Sequence, residues 1–293
     1  WIKGPKSTKP INYKENLGSA QCKSAVMIAA LKTFGKTKIK SLPSRNHTEL
    51  MFKNALNVPI KIKQNKKYDF IELSGKKEIK AFNYKIPGDI SSASFFIVLT
   101  LLSKNSKIIL KHINLNPSRL GIIKILNKMG AGIKLKNVIN YNGENCGDIH
   151  VKSVKNFKSI NCPSYLNSSA IDEFLIIFLV AAKAKGISYF KHLSELNQKE
   201  SPRLKLGSKI LNMMGIKTKL TKSSIKIYGN PSLELNKNYQ IKNYFKDHRI
   251  MALCTIAALT LGGNWKIYDP ESIKTSFPSF LKILKNTLGA KIN

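Results

Sequence analysis

Pro87-Gly88-Asp89-Ile90-Ser91-Ser92-Ala93-Ser94-Phe95-Phe96-Ile97-Val98-Leu99-Thr100-Leu101-Leu102 opens on a turn and an aspartate, then continues as an aliphatic and aromatic run without a polar face. Asp89 suits a helix N-cap, because its carboxylate can accept backbone N–H groups that the first turn leaves unpaired. A helix apolar on most faces has to be buried on several sides. The same plan returns at residues 19–31, 172–184 and 247–261, a recurrence of about 75 residues.

The segments after each buried helix recur as well. Strands are predicted at 37–40, 106–110, 187–190 and 265–268, then amphipathic helices at 48–56, 118–129, 201–214 and 276–288. Gly130, Gly215 and Gly289 stand where a left-handed C′ residue closes a helix, and Asn57 fills that place in the first unit. Short strands resume, as at 133–135, with hairpin partners at 149–151 and 225–228. Alternating helices and strands imply sheets packed on buried helices, an α/β class. The period alone leaves open a solenoid or a closed pseudo-symmetric domain. The Lys-rich, weakly patterned segment 65–81 is the expected boundary, dividing the chain into domains 1–82 and 83–293, the second with three repeats.

A chain of 293 residues, 43% apolar, can bury a sizeable core. The apolar runs 174–182 and 250–261 are too short to span a bilayer, so a soluble protein with no membrane partner is expected. The sequence begins at Trp1, which reads as a cut N-terminus. Cys22, Cys146, Cys162 and Cys254 lie far apart without metal-ligand spacing, which predicts a cytoplasmic protein whose thiols act as small hydrophobes, and no metal site. The net charge of +34 raises a nucleic-acid reading, but the lysines are spread along the whole chain, with no Arg-rich helix or zinc finger. That favours non-specific attraction to polyanions only.

Only four of the 50 basic residues are arginine: Arg45, Arg119, Arg203 and Arg249. A chain that uses Lys wherever a cation suffices is expected to keep Arg where a planar fork must grip phosphate or carboxylate. All four lie in polar segments at or beside the helix starts, where free N–H groups and the helix dipole favour anions. The segments are Gly18-Ser19-Ala20-Gln21-Cys22-Lys23-Ser24, Ser44-Arg45-Asn46-His47-Thr48-Glu49, Asn116-Pro117-Ser118-Arg119, Ile171-Asp172-Glu173, Lys199-Glu200-Ser201-Pro202-Arg203 and Lys246-Asp247-His248-Arg249.

With the segment at Pro87, this set resembles the enolpyruvyl-transferase family, in its shikimate-phosphate branch. That family carries SAQxKSA, SRDHTE, PGDISSAAFF, NPTR, IDE, KESDR and DHRIAM in this order. Here they read SAQCKSA, SRNHTE, PGDISSASFF, NPSR, IDE, KESPR and DHRIMA. The match runs from about Gly4 to Pro278. The resemblance implies βαβαββ units forming two globular domains around buried helices, the first incomplete, with the active site where helix N-termini converge. It also implies that about the first third of the family chain, with a Lys, a Ser and at least two Arg that hold substrates, is absent, so that this fragment is inactive alone.

The resemblance further implies transfer of the enolpyruvyl group of phosphoenolpyruvate to the 5-hydroxyl of shikimate 3-phosphate, by a cytoplasmic monomer without cofactor or metal. Ser19, Ala20, Gln21, Arg45, Asp172 and Lys199 are then ligands of shikimate 3-phosphate. Gln21, Arg203 and Arg249 hold phosphoenolpyruvate, and His248 is a weaker candidate. Asp172 accepts the 5-hydroxyl proton, and Glu200 moves protons at the methylene carbon. Such addition and elimination need positioned acid–base groups and cations around anionic substrates, which these residue types supply.

From residue type alone, Asp172 and Asp247 are equally suited to capping helices, His47 with Thr48 to capping the next one, and Arg119 to a structural place. Pro202 departs from the family's Asp, yet Ser201 as N-cap with Pro202 behind it is a favourable helix start. Asn197 and Leu175 depart from a common Arg and Pro. Two other readings are distinguishable. The sister branch would use UDP-N-acetylglucosamine, which SRNHTE and KESPR disfavour. A basic nucleic-acid-binding α/β module would show salt-sensitive binding to nucleic acid and none to shikimate 3-phosphate.

Overall fold

β1 (Asn12–Glu15), α1 (Ala20–Ala30), β2 (Lys36–Ser41), α2 (His47–Asn54), β3 (Ile60–Gln64) and β4 (Asp69–Ser74) form one complete βαβαββ unit. The computed structural model describes residues 1–293 except Ile2, Lys6, Lys66, Lys76, Lys77 and Asn293. The sheet runs β1-β2-β4-β3, with β1 parallel to β2 and β4 antiparallel to both its neighbours. Alternation along β2 buries Thr37, Ile39 and Ser41. Met27 of α1 and Phe52 of α2 pack with Ile39, Ile71 and Leu73 in one core.

Strand β4 lies inside segment 65–81, which reads as featureless in sequence; Lys66, Lys76 and Lys77 of that segment lie outside the described residues. The pattern is hidden because the inward series Asp69, Ile71, Leu73 begins with a charge, while Phe70 points outward. This first body comprises Trp1–Pro87, Asn114–Arg119 and Val138–Cys146, and the second Gly88–Ile113, Leu120–Asn137 and Gly147–Asn293.

Onward from residue 88 the elements are α3 (Ile90–Leu102), β5 (Lys107–Asn114), α4 (Gly121–Lys128), β6 (Lys134–Tyr141), β7 (Glu144–Lys152), β8 (Phe157–Lys158), α5 (Asn167–Ala170) and α6 (Phe174–Lys183). Then come β9 (Ala184–Phe190), α7 (Arg203–Met213), β10 (Thr218–Leu220), β11 (Ile225–Gly229), β12 (Leu235–Ile241), α8 (His248–Leu261), β13 (Gly262–Ile267) and α9 (Phe280–Asn286). The sheet β10-β11-β9-β8 repeats the first sheet strand for strand, with β8 parallel to β9 and β11 antiparallel to both its neighbours. β5, β7 and β6 are neighbours in that order, β12 pairs parallel with β13, and Gly88 bridges Ile113 in parallel.

The second and third repeats lead with only the Gly88–Ile113 bridge and the two-residue β8, which have no periodicity to read, whereas β1 and β12 are longer but mostly polar. The buried helices are as expected: α3, α6 and α8 pack against one another, and every residue of α6 from Phe174 to Ala182 is buried. Burying each large apolar side chain contributes about 1.5–3 kcal/mol, which is why these runs fix the centre of the fold. The helix-closing residues have the left-handed backbone expected of them, with φ of 97° at Gly130, 83° at Gly215, 68° at Gly289 and 50° at Asn57.

Candidate active site

In the second body the polar chemistry gathers at the starts of α6, α7 and α8. Asp247 has extended backbone and caps α8, accepting the N–H of Arg249 at 2.9 Å. Only 1% exposed, its carboxylate also accepts Ser201 Oγ at 2.7 Å and Arg203 Nε at 2.9 Å. Burial pushes its pKa up, but the hydrogen bond and charge of Arg203, with the Ser201 and Arg249 donors, outweigh this and hold it below the usual carboxylate range. Ser201 does not cap α7 as expected. Its hydroxyl goes to the charged acceptor Asp247, a stronger partner than a backbone amide, and α7 begins at Arg203 with no side-chain cap.

Asp172 sits in the turn before α6, and that helix has no side-chain cap, so the capping reading fails for Asp172 while it holds for Asp247. Asp172 Oδ1 lies 3.7 Å from Arg203 Nη1 and 3.9 Å from Lys199 Nζ, and its Oδ2 lies 3.9 Å from Arg249 Nη2. Arg249 Nη1 donates to the Asp172 carbonyl at 2.7 Å, which fixes the guanidinium against this turn. Glu200 accepts Arg203 Nη2 at 2.5 Å, and Lys199 Nζ is shared with Glu195 at 2.7 Å. Buried Glu173 accepts a hydrogen bond from Ser91 Oγ, so Ser91 packs inward while Ser92 helps Asp89 close the first turn of α3. His248 has its pKa lowered, first by burial and then by the Arg249 charge.

Asp172, Lys199, Glu200, Arg203 and Arg249 are thus brought together, with His248 next in chain. Sequence reasoning gave Asp247 only a capping role and missed that it also orients Arg203. Its signal was position: it precedes Arg249 in a chain that spends few arginines.

In the first body Ser19 caps α1, accepting the Cys22 N–H at 3.2 Å. Buried Glu15 accepts the N–H groups of Leu17 at 2.8 Å and Gly18 at 2.7 Å, and Gly18 takes φ of 72°, so the turn into Ser19 is fixed from beneath. Ala20 and Gln21 come next in the first turn, with Gln21 exposed. Arg45 is half-buried in the loop before α2. His47 does not cap that helix: its Nδ1 lies 2.5 Å from Glu144 Oε1, which also accepts Asn116 Nδ2 at 2.7 Å, and no side chain caps α2. Arg119 is buried. Cys22 is exposed, unlike Cys146, Cys162 and Cys254, because it lies on the outward side of the first turn of α1. Among the described residues no group of three or more His, Cys, Asp or Glu could hold a metal ion, and no helix is long and apolar enough to cross a membrane.

A family model described as EPSP synthase (3-phosphoshikimate 1-carboxyvinyltransferase) matches residues 2–284. The chain is 39% identical over 284 residues to the 3-phosphoshikimate 1-carboxyvinyltransferase of Caldicellulosiruptor bescii, covering 97% of this chain and 64% of that protein. It is 38% identical to that of Ruthia magnifica over 100% of this chain and 65% of the relative. Among solved structures, EPSP synthase from Acinetobacter baumannii superposes with a TM-score of 0.84 at 32% identity, over 95% of this chain and 62% of that one. The enolpyruvyl transferase NikO from Streptomyces tendae, at 13% identity and a TM-score of 0.70 over 99% of this chain and 66% of that one, shares the fold. The chain spans less than two thirds of the length of its curated relatives. A match over nearly its whole length, by a fold of these repeats with these polar helix tips, makes the chain a member of the EPSP synthase family.

Proposed function

We propose that the chain serves enolpyruvyl transfer from phosphoenolpyruvate to the 5-hydroxyl of shikimate 3-phosphate. The observation that carries this reading is the Asp172 carboxylate set among Lys199, Arg203 and Arg249, all within 4 Å. Such a carboxylate can take a proton from a hydroxyl while the cations hold the anionic groups of both reactants.

In this mechanism Asp172 receives the 5-hydroxyl proton as that oxygen bonds to C2 of phosphoenolpyruvate. Glu200 delivers a proton to C3, giving a tetrahedral intermediate. The C3 proton then returns to Glu200, the C2–C3 double bond reforms, and phosphate leaves with the C–O bonding electrons and takes up the proton that Asp172 had received. Arg203 and Arg249 clamp phosphoenolpyruvate with Gln21, and His248 is a secondary contact. Ser19, Ala20, Gln21 and Arg45 take shikimate 3-phosphate together with Asp172 and Lys199. No step calls on a cofactor. The reading treats residues 1–82 as one repeat of a first enolpyruvyl-transferase domain and 83–293 as three repeats of a second. It assigns a monomer in the cytoplasm, and the four free thiols fit a reducing compartment.

The test is Arg203→Lys in the complete gene product, with phosphate release measured from both substrates. Lys keeps the charge but not the fork, so kcat/KM for phosphoenolpyruvate should fall about 10²-fold. Unchanged turnover removes Arg203 from the site, and turnover of UDP-N-acetylglucosamine in place of shikimate 3-phosphate overturns the substrate assignment.

A further inference from the structure

Beneath the polar tip of α1 the first body buries an ionic cluster that the proposed mechanism does not use. Lys23, one turn into α1, is 0% exposed, and its Nζ lies 2.5 Å from Glu49 Oε1 of α2 and 3.9 Å from Asp69 Oδ2 of β4. Asp69 accepts Gln64 Nε2 at 3.1 Å and the backbone N–H of Ser44, the residue before Arg45. Ser24 and Thr48, the neighbours of Lys23 and Glu49, share a hydroxyl–hydroxyl hydrogen bond of 2.7 Å. The Lys23 backbone N–H donates to the Ser19 carbonyl at 3.2 Å.

A buried ionic cluster is a costly way to join three elements. Beside the Lys23–Glu49 ion pair, Glu49 Oε2, Asp69 Oδ2, Ser41 Oγ and Ser44 Oγ are buried without a hydrogen-bond partner. Unsatisfied buried polar atoms are costly, and a neutral packing of the same shape generally holds a fold as well or better. Such violations of local rules concentrate where function demands them. What this cluster does is join three elements: Lys23 carries the α1 tip, Glu49 carries α2, and Asp69 holds the backbone beside Arg45.

We propose that Lys23 is a positioning residue, which through Glu49 and Asp69 locks the Ser19–Gln21 tip and the Arg45 loop into one preformed site for the phosphate-bearing substrate. This deepens the proposed function and rests on its assignment of Ser19, Gln21 and Arg45 to shikimate 3-phosphate. Phosphoenolpyruvate affinity is reached only through Gln21, since its other assigned ligands, Arg203 and Arg249, belong to the second body.

The experiment uses the complete gene product in three forms besides the parent. Arg45→Ala tests the reading itself. A neutral triple variant, Lys23→Met with Glu49→Gln and Asp69→Asn, removes the charges while keeping shape. Lys23→Arg keeps the charge but alters its geometry. Shikimate 3-phosphate binding is measured by calorimetry, KM for each substrate by phosphate release, and folding by circular dichroism and thermal melts.

The expected result is a folded triple variant that binds shikimate 3-phosphate about ten- to a hundredfold more weakly, the scale of a misplaced binding group, with a smaller rise in KM for phosphoenolpyruvate through Gln21 alone. Lys23→Arg should lie between the two. If Arg45→Ala weakens binding but the folded triple variant binds like the parent, the positioning role is wrong and the proposed function stands. If Arg45→Ala leaves binding unchanged, the reading of this body as a shikimate 3-phosphate site falls, and the positioning role falls with it. Loss of folding in both Lys23 variants assigns the cluster to stability and overturns the proposal.

Discussion

Arg203 donates its Nε to Asp247 Oδ2 at 2.9 Å, so the first residue of α7 is tied to the cap of α8. Both groups are buried, at 1% exposure each, and one carboxylate thereby orients Arg203 and starts the helix that carries Arg249.

Asp247→Asn should destabilise the protein by about 3–5 kcal/mol, because it strands a buried guanidinium. The pH dependence has a definite sign. The folded pKa of Asp247 lies below its unfolded value of 3.8, so the unfolded chain takes up this proton first. The stabilisation is complete above the unfolded value and drains away as pH falls toward the folded one. Urea melts across this acid range should show the parent losing stability more steeply than Asp247→Asn; equal slopes would mean that the ion pair adds no pH-linked stability.

Glu200 holds Arg203 Nη2 at 2.5 Å, and its side chain is 58% exposed. An anionic substrate reaching that fork has to displace it. Glu200→Gln should therefore lower KM for phosphoenolpyruvate by up to about fivefold, the scale of an exposed ion pair. As it also removes the proposed proton donor for C3, kcat should fall about 10²–10⁴-fold. Steady-state kinetics separate the two effects, and an unchanged kcat takes Glu200 out of proton transfer.

Thiol chemistry offers a check that needs no substrate. Cys22 is exposed, whereas burial raises the Cys162 pKa to about 11 and pushes that of fully buried Cys254 up as well. Titration with a thiol reagent at neutral pH should modify Cys22 quickly, and Cys146, Cys162 and Cys254 only after denaturant is added. Fast native modification of Cys254 would contradict the packing of α8.

Gly121 opens α4 against α5. A Cβ there would lie 2.6 Å from the Ser169 carbonyl carbon and 2.7 Å from Ala170 Cβ. Alanine gains about 1 kcal/mol in helix propensity, yet overpacking against backbone costs about 1–3 kcal/mol. Gly121→Ala should therefore destabilise, with a lower thermal midpoint; a rise would show that the two helices separate readily.

Much of the fold is legible because residues such as Phe174–Ala182 leave no face for water, while Asp89 and Asp247 mark the helix starts they cap. The guanidinium groups were legible through the scarcity of Arg. Partnerships made across long sequence separations were not. Nothing local says that Ser201 turns to Asp247, that His47 turns to Glu144, or that Asp69 belongs inside a strand because Lys23 waits there. Such residues look like caps or solvated charges until a distant partner is known.

Helix α7 runs from Arg203 to Met213, so its far end lies about 15 Å along the axis from the Arg203 backbone. There Gly215, at φ of 83°, swings the backbone out of the helix. Buried Ile216 anchors the chain beyond that bend, and exposed Lys217 after it could carry a fluorophore or affinity handle far from the proposed clamp. The helix thus separates a surface handle from the polar cluster by its whole length.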